Sequence, residues 1–285
     1  MYQLKRILIT GAESYIGTAF EKWASQYSGQ YEIETIDVRS NAWEKKSFNS
    51  YDVVCHLAAI VHVKENNTDM YFKVNRDLAF EIAKKAKEKG VEQFIFLSTM
   101  GVYGDEIGFI DENTKPNPKT PYAQSKLEAE YLLNELADKN FNVTILRPPI
   151  VYGKGCRGNY LRLAKMALKV PIFPKVNNKR SMIYIDNLSE FMRLSIDNKL
   201  TGLYFPQNRE YVNTTELVQI IAESHGKDLR VTSVLNPFVS LGTKLSKTFG
   251  KVFGSFTYDK KMPGGPVESN YEICTFKESI KLTEI

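Results

Sequence analysis

The stretch TGAESYIG, residues Thr10 to Gly17, joins the apolar run LKRILI to TAFEKWASQY, which has the pattern of a helix. Gly11 follows the apolar run and can adopt the positive φ that a tight turn needs. Gly17 falls in the first helical turn, where the absence of a side chain lets helix and strand pack closely. The N–H groups at such a helix start can bind a pyrophosphate. Ser14 takes the middle position of a G-x-x-G-x-x-G pattern, where its hydroxyl can cap the helix or touch a phosphate.

Strand and helix patterns alternate from this loop to residue 150. The predicted strands are residues 4–9, 31–38, 51–59, 91–98 and 141–147, and the predicted helices are residues 15–27, 75–89 and 121–139. Apolar strands separated by helices indicate a parallel sheet that is covered on both faces. Because crossovers in such units are right-handed, the sheet should be doubly wound. We therefore predict an α/β fold with a doubly wound parallel (Rossmann) sheet, and residues 1–150 as a dinucleotide-binding domain.

The pattern loosens after Pro148 and Pro149, where loops with glycines and prolines separate shorter elements. The predicted elements there are helices at residues 160–168, 186–197 and 214–225 and a strand at residues 181–185. Residues 151–285 should therefore form a smaller, irregular C-terminal substrate lobe, with some later segments returning to the Rossmann domain.

Residues 237–256, PFVSLGTKLSKTFGKVFGSF, place apolar side chains at helical spacing with lysines among them. One interpretation is a basic amphipathic helix that lies on a membrane surface. The other is a helix whose apolar face packs on the C-terminal lobe. We favour packing, because the three glycines of the segment weaken an isolated helix.

The composition excludes several classes of protein. The 285 residues carry a net charge of +5, and lysines and arginines are spread along the chain, which argues against nucleic-acid binding. The three cysteines and three histidines make neither a disulfide framework nor a metal-binding pattern. No apolar run is long enough to span a bilayer, and the sequence starts with a core strand rather than a signal peptide. We expect a cytoplasmic protein without a metal.

Asp37 ends the second predicted strand, where a carboxylate would accept the ribose hydroxyls of an adenosine. A carboxylate at this position repels a 2′-phosphate, so NAD is favoured over NADP. Arg39, two residues later, blurs that preference. The alternative is that both residues belong to a solvated strand end. Taken with the glycine loop, Asp37 favours cofactor binding.

The segment PYAQSK, Pro121 to Lys126, opens a predicted helix, so Tyr122 and Lys126 share one face. A nearby ammonium lowers the pKa of a phenol from its usual value of about 10. Such a tyrosine can exchange a proton with a sugar hydroxyl. Thr99 lies just past the strand at residues 91–98, on the edge where ligands of doubly wound sheets bind. The pair on its own is common on solvated helices, but the three residues together predict a catalytic site.

These motifs, in this order, make the chain similar to a known family. It resembles the extended short-chain dehydrogenases/reductases, in the branch of NAD-dependent nucleotide-sugar epimerases and dehydratases. The segments that carry the resemblance cover most of residues 1–190 and are TGAESYIG, TIDVR, VVCHLAA, FKVNRDLA, FLSTMGVYG, PYAQSK, LRPPIVYGKG and RSMIYIDN. The residues beyond them match only loosely.

The resemblance implies a role for each matched position. Thr99 and Tyr122 fall at the catalytic Ser/Thr and tyrosine, and Lys126 falls at the lysine that holds the nicotinamide ribose. The positions of the pyrophosphate loop and of the strand end that lines the cofactor are Gly11, Ser14, Tyr15, Ile16, Gly17, Ala58 and Ala59. The implied cofactor is NAD, and the implied assembly is a homodimer through the helices at residues 75–89 and 121–139.

The resemblance also implies contacts with a nucleotide-sugar substrate. Arg180, in RSMIYIDN, falls where the family has an arginine on the diphosphate, and a fork of donors suits two phosphates. Asn159 is a candidate contact for the uridine or the diphosphate. Lys64 could reach the hexose or remain a solvent-exposed lysine. Asn75 matches an asparagine with a structural or water-positioning role.

Two reactions fit these residues. The first, which we favour, is NAD-dependent 4-epimerisation of a UDP-hexose through a transient 4-keto sugar, for surface or exopolysaccharide precursors. The second is the NAD(P)H-dependent reduction of a UDP- or dTDP-4-keto-deoxy sugar. Met100 and Gly101 stand where the dehydratases of the family have an Asp-Glu pair, which argues against dehydration. A dinucleotide-sensing regulator without chemistry would be expected to lose Tyr122 or Lys126, and both are present.

Overall fold

The computed structural model describes residues 4–61, 68–104, 108–265 and 270–285. The chain divides into two compact units. The first unit comprises Met1–Gly104, Pro116–Arg147 and Ser189–Tyr204, and the second comprises Asp105–Lys115, Pro148–Leu188 and Phe205–Ile285. The polypeptide therefore leaves the first unit and returns to it twice.

The strands of the described residues are short outside the first unit. In chain order they are β1 (Lys5–Thr10), β2 (Tyr31–Ile36), β3 (Val53–His56), β4 (Gln93–Leu97), β5 (Gly108–Ile110), β6 (Asn142–Leu146), β7 (Ile150–Tyr152), β8 (Ile172–Pro174), β9 (Met182–Tyr184), β10 (Gly202–Tyr204), β11 (Arg230–Thr232) and β12 (Phe256–Tyr258).

Helices connect and cover these strands. In chain order they are α1 (Tyr15–Ala24), α2 (Ala42–Lys45), α3 (Asp69–Phe72), α4 (Leu78–Glu88), α5 (Pro121–Leu136), α6 (Asn159–Lys169), α7 (Ile185–Asp197), α8 (Thr214–Ser224), α9 (Asn236–Leu245), α10 (Lys247–Phe253) and α11 (Phe276–Glu284). A π-helical turn, Lys73–Asp77, joins α3 to α4, and a 3-10 turn, Met100–Tyr103, follows β4.

Six parallel strands form the sheet of the first unit, in the order β10-β6-β4-β3-β1-β2. Every neighbouring pair in this sheet is parallel, so the carboxyl ends of its strands lie at one edge. The strand order reverses between β1 and β3, and a crevice opens at such a point in doubly wound sheets. The predicted α/β fold with a doubly wound parallel sheet is confirmed.

Both faces of this sheet are apolar, which explains why helices cover it. Leu8 and Phe94 pack in one core with Ile82 of α4, and all three side chains are fully buried. Successive residues of a strand point to opposite faces. Ile7 and Ile95, on the other face, are buried as completely as their neighbours. A strand buried on both faces has no reason to alternate polar and apolar residues, and this gives the near-continuous apolar runs of the sequence.

The second unit is built from paired short strands rather than one sheet. The pairs β7–β9, β8–β11 and β5–β12 are each parallel. α8 begins after Asn213, whose side chain accepts hydrogen bonds from the N–H groups of Thr215 and Glu216. α11 begins with a capping box between Thr275 and Glu278. Side-chain caps therefore set the starts of α8 and α11.

Two sequence predictions fail in detail. The helix predicted to start at Asn75 instead starts at Asp69 and passes through the π-helical turn. The segment 237–256 is not one helix, since it breaks at Ser246 between α9 and α10 and ends in β12. The favoured prediction that its apolar face packs on the C-terminal lobe holds only in part, because Phe253 of α10 packs on the buried Phe173 whereas α9 has no buried residue.

Candidate active site

The glycine loop lies across the carboxyl ends of the first three strands. The N–H groups of Gly11 and Ala12 donate to the carbonyl oxygen of Ile36, at the end of β2, at 3.0 and 3.3 Å. Gly11 has a φ of +97°, and a Cβ on it would stand 2.8 Å from the backbone nitrogen of Ala58. Both the backbone angle and the lack of space require glycine at this turn.

Ser14 caps α1. Its Oγ accepts a hydrogen bond from the N–H of Gly17 at 3.1 Å. A Cβ on Gly17 would stand 2.6 Å from that same oxygen, so the cap depends on the glycine. Of the two roles that the sequence allows the Ser14 hydroxyl, the structure shows the cap. Tyr15 and Ile16 are the first two residues of α1, so their N–H groups lie at the positive end of the helix dipole.

Asp37 directly follows β2 and forms an ion pair with Arg39. The backbone N–H and the Nε of Arg39 donate to the carboxylate, each at 2.8 Å. Hydrogen bonds from the Arg39 side chain lower the pKa of Asp37, so this carboxylate is ionised at neutral pH. Arg39, which weakens the preference for NAD over NADP predicted from the sequence, is thus ion-paired with Asp37 itself.

A cleft of about 730 Å³ in the first unit joins these features. Its walls include Gly11, Ser14, Asp37, Ala58 and Ala59. A helix start suits a pyrophosphate, a carboxylate after the second strand suits ribose hydroxyls, and the small side chains after β3 leave room for the ligand. The residues of this cleft therefore fit the adenosine diphosphate half of NAD.

Thr99 and Tyr122 meet at the carboxyl edge of β4. The Oγ1 of Thr99 accepts a hydrogen bond from the N–H of Gly101 at 3.0 Å and caps the 3-10 turn. Tyr122 is the second residue of α5, whose start is fixed by Pro121 and by the side-chain cap of Thr120. The Thr99 side chain is close enough to the Tyr122 phenol to lower its pKa. The fold thus brings together two hydroxyls that the sequence assigns to one substrate oxygen.

Burial raises the pKa of Tyr122 to about 12, and the side chain of Thr99 opposes this rise only in part. The sequence predicts the opposite direction, because it places the Lys126 ammonium beside the phenol. In the structure that ammonium is bonded elsewhere, so desolvation of the phenolate dominates. The phenol is therefore protonated at neutral pH in the protein without ligands.

Lys126 lies beneath the site with 2% of its surface exposed. Its Nζ donates to the carbonyl oxygen of Leu97, the last residue of β4, at 2.8 Å and lies 4.3 Å from the ring centroid of Phe96. Burial lowers the pKa of Lys126 to about 7, and the negative charge of Glu130 opposes this shift. The lysine therefore anchors α5 to the strand that carries Thr99.

A buried polar network supports this arrangement, and the sequence analysis missed it. Glu130 lies one helical turn after Lys126 and pairs with Arg147, Nη2 to Oε2, at 2.5 Å. Ser98 donates to the same carboxylate, and Arg147 donates to the hydroxyl of Tyr103 at 2.7 Å. The available signal was Glu130 four residues after Lys126 on the buried face of a helix, where a charge requires a partner.

Asn75 is fully buried in the π-helical turn and acts as a clamp. Its amide oxygen accepts from the N–H of Ile60 at 2.9 Å, and its amide nitrogen donates to the carbonyl of Ile60 at 3.0 Å and to Ser125 at 3.2 Å. It therefore ties the chain after β3 to α5. The ring of Tyr71 meets the ring of Tyr122 edge-on with centroids 6.4 Å apart, a neighbour that the sequence analysis did not anticipate.

The residues assigned to the substrate lie mainly in the second unit. Asn159 is the first residue of α6, after Gly158. Arg180 is buried, and its Nη1 donates to the carbonyl of Gly254 at 2.9 Å. Burial alone lowers the pKa of Arg180 to about 10, and no carboxylate among the described residues pairs with it. Lys64 lies outside the described residues.

Within residues 4–61, 68–104, 108–265 and 270–285, no group of three or more His, Cys, Asp or Glu side chains is placed to hold a metal ion. In the same part of the chain, no helix combines the length and the apolar character that crossing a membrane requires.

Comparison with known families and proteins supports the cofactor-binding interpretation. The model of the NAD dependent epimerase/dehydratase family matches residues 7–204. UDP-glucose 4-epimerase of Vibrio cholerae is 29% identical over 91% of this chain and 86% of its own length. N-acetyl-alpha-D-glucosaminyl-diphospho-ditrans,octacis-undecaprenol 4-epimerase of Escherichia coli O157:H7 is 28% identical over 87% of this chain and 81% of its own.

Solved structures share the fold. The UDP-glucuronic acid 4-epimerase of Bacillus cereus, determined in complex with NAD, superposes with a TM-score of 0.74 over 98% of this chain and 97% of its own, at 19% identity. At this identity the similarity demonstrates the fold alone.

Replacing Asp37 with Ser should weaken NAD binding by about tenfold, because the ribose hydroxyls lose an ionised acceptor. NADP should be affected less, since Arg39 is then free to meet a 2′-phosphate. Isothermal titration calorimetry with both dinucleotides measures the change. The matched control is Arg39→Ala, which should keep the preference for NAD. Unchanged NAD affinity in Asp37→Ser would remove Asp37 from the cofactor site.

Replacing Lys126 with Met should change how stability depends on pH. The unfolded chain keeps a proton on this lysine up to about pH 10, whereas the folded protein loses it near its lowered pKa of about 7. Between these values a rising pH favours the folded state, by up to about 1.4 kcal/mol per pH unit. The wild-type protein should therefore gain stability relative to Lys126→Met as the pH rises.

Urea denaturation of both proteins at several pH values through this window gives the difference in the free energy of unfolding. Lys84→Met, at an exposed position of α4, is the control and should track the wild-type protein. A difference between wild type and Lys126→Met that stays constant with pH would contradict the prediction.

Proposed function

Since the chain belongs to the NAD dependent epimerase/dehydratase family, we propose that it catalyses the 4-epimerisation of a nucleotide-diphospho-hexose. The proposed substrate is a UDP-hexose, the reaction passes through a transient 4-keto sugar, and the product serves surface or exopolysaccharide synthesis. The observation that carries the proposal is the placement of Thr99, at the cap of the 3-10 turn after β4, beside Tyr122, at the start of α5. The carboxyl edge of the sheet, where β4 ends, is the one that the glycine loop also occupies.

The proposed chemistry at these two residues is proton transfer. The phenolate oxygen of Tyr122 takes the proton from the sugar 4-hydroxyl, and the resulting phenol returns it when the other configuration forms. Thr99 orients the same sugar oxygen by a hydrogen bond. Because burial raises the pKa of Tyr122 to about 12, the phenol needs additional positive charge nearby before it acts as a base at neutral pH.

Bound NAD supplies a hydride acceptor that also returns the hydride. We propose that its pyrophosphate is held at the start of α1 and its adenosine ribose by Asp37. The residues proposed to line the loop and the strand end are Gly11, Ser14, Tyr15, Ile16, Gly17, Ala58 and Ala59. Lys126 is proposed to bind the nicotinamide ribose, for which it must share or leave its bond with Leu97.

Arg180 is the proposed diphosphate ligand of the second unit. A buried guanidinium without a carboxylate partner is costly, and an anionic ligand would neutralise it. Its planar fork of donors suits two phosphates. Asn159, at the start of α6, is the proposed second polar contact. Lys64 remains a candidate substrate-binding residue on sequence grounds alone.

A hexose linked to a lipid diphosphate, rather than to a nucleotide, is a second candidate substrate. The Escherichia coli relative is named for a hexose on undecaprenyl diphosphate rather than on a nucleotide. Both carriers present a hexose 1-diphosphate, so Arg180 would serve either. The exposed apolar side chains of α9 in this chain favour testing the lipid carrier. We also propose that the protein forms a homodimer through α4 and α5 and that it is cytoplasmic.

The activity test uses the purified protein with a panel of UDP-hexoses and, in a separate arm, a hexose on a short polyprenyl diphosphate. NMR should show inversion at carbon 4 without added reduced cofactor. Tyr122→Phe should lower kcat by about a hundredfold or more, since general acid–base catalysis is lost. Tyr131→Phe, at an exposed tyrosine of the same helix, is the matched control and should keep full activity.

Two outcomes would contradict the proposal. Full activity in Tyr122→Phe would remove the tyrosine from its assigned role. Turnover that begins only when a 4-keto sugar and NADH or NADPH are supplied, with loss of the absorbance of the reduced cofactor, would identify the ketoreductase instead.

Replacing Arg180 with Met should raise KM for the sugar diphosphate by about tenfold or more while kcat changes little, because the group binds the diphosphate and not the reacting carbon. Stability without substrate should not fall, since a buried charge that no carboxylate of the described residues pairs with is replaced by an apolar side chain of similar length. The control is Arg209→Met, at a largely exposed arginine paired with Glu272. A decrease in kcat with unchanged KM would show that Arg180 does not bind the diphosphate.

A further inference from the structure

α9 exposes large apolar side chains. Phe238, Leu241 and Leu245 are 71%, 57% and 78% exposed, and Val234, just before the helix, is 77% exposed. At 3.6 residues per turn, positions 238, 241 and 245 fall on one side of the helix. Apolar side chains scattered singly need no explanation, but a continuous stripe on a helix marks a surface that meets a partner.

Defined contacts in the second unit hold this helix in place. A Cβ on Gly242 of α9 would stand 2.6 Å from the ring of Phe249 in α10, so the two helices are closely packed. The ring of Phe253 in α10 packs on the buried Phe173 of β8, with centroids 5.9 Å apart. The side chain of Asn236 donates to the carbonyl of Lys175 at 2.8 Å. The apolar stripe is therefore presented on an anchored helix and is not part of a loose tail.

The chain segment that carries the stripe has charged residues of one sign. From Leu229 to Tyr258 the chain contains Arg230, Lys244, Lys247 and Lys251 and no aspartate or glutamate. Lys244 is exposed and follows Leu241 by three residues, so it lies at the edge of the stripe. Long cationic side chains beside an apolar helix face can reach phosphate groups while their stems lie against acyl chains.

We propose that α9 and α10 form a docking surface for an anionic lipid membrane. The stripe enters the boundary between headgroups and acyl chains, as interfacial helices do, and the exposed Lys244 at its edge binds a phosphate. The positive charge favours an anionic lipid as the partner over a second copy of this chain. Two copies docked through this surface would bring like charges together. This surface lies outside the cofactor cleft, and the inference does not require the proposed enzymatic activity.

Vesicle flotation of the full-length protein tests the proposal. The probes are vesicles of phosphatidylcholine alone and vesicles with about one third phosphatidylglycerol, which provides the negative surface. Wild-type protein should float with the anionic vesicles at least about tenfold more than with the neutral ones. Raising the salt to about 1 M, where the Debye length falls to about 3 Å, should release part of the bound protein.

The decisive variant is Phe238→Gln/Leu241→Gln/Leu245→Gln, which should lose binding by about tenfold or more. The matched control is Leu161→Gln/Leu282→Gln, which replaces two exposed leucines on α6 and α11 and should float like wild type. Lys244→Glu/Lys251→Glu leaves the stripe intact and should weaken binding to anionic vesicles selectively. Thermal unfolding of each variant establishes that it is folded.

Three results would overturn the proposal: no binding of wild type to either vesicle, equal binding of wild type and the triple variant, or equal binding to both vesicle types. Sedimentation equilibrium tests the main alternative, which is that the stripe binds a second copy of this chain. A concentration-dependent dimer that only the triple variant abolishes, without vesicle binding, would assign the stripe to a second copy. No sugar substrate enters these measurements, so their outcome is independent of the epimerase test.

Discussion

The ammonium of Lys126 is buried, and a buried cation must find acceptors inside the protein. It finds the carbonyl oxygen of Leu97, at the end of β4. This bond ties α5 directly to the end of the strand. Since Tyr122 precedes Lys126 by one helical turn and Thr99 follows Leu97 by two residues, the same bond brings the two hydroxyls together. The placement of the candidate catalytic pair therefore depends on which acceptor the Lys126 ammonium bonds.

The layer beneath this bond has a comparable constraint. Glu130 and Arg147 are almost completely buried, and removing both from water costs several kcal/mol for each ion, which their mutual attraction offsets only with good geometry and further hydrogen bonds. Ser98, directly before Thr99, and Tyr103, at the end of the 3-10 turn after it, supply those bonds. The network thus links the strand end, the 3-10 turn and α5 into one rigid support. Such rigidity is what a site needs when it must hold one oxygen of a substrate in place.

The two units separate the tasks that the proposal assigns to them. The first contains the glycine loop, the cleft and the Thr99–Tyr122 pair, all at one edge of one sheet. The second contains a buried arginine that no described carboxylate neutralises and a helix pair with an exposed apolar stripe. Both features of the second unit are unfavourable for a protein alone in water. An anionic sugar carrier and an anionic lipid surface would each remove one of these costs.

The sequence by itself determined the parallel sheet, the glycine loop and the positions of Thr99, Tyr122 and Lys126, because each depends on residues close together in the chain. A strand buried on both faces must be apolar throughout, a tight turn against Ala58 must be glycine, and residues four apart on a helix must share a face. Only the tertiary structure decided where the Lys126 ammonium bonds, which way the pKa of Tyr122 shifts, that Glu130 meets Arg147, and that α9 stays exposed. Those outcomes depend on burial and on partners distant in sequence, and no local pattern encodes the dielectric environment that distant segments create.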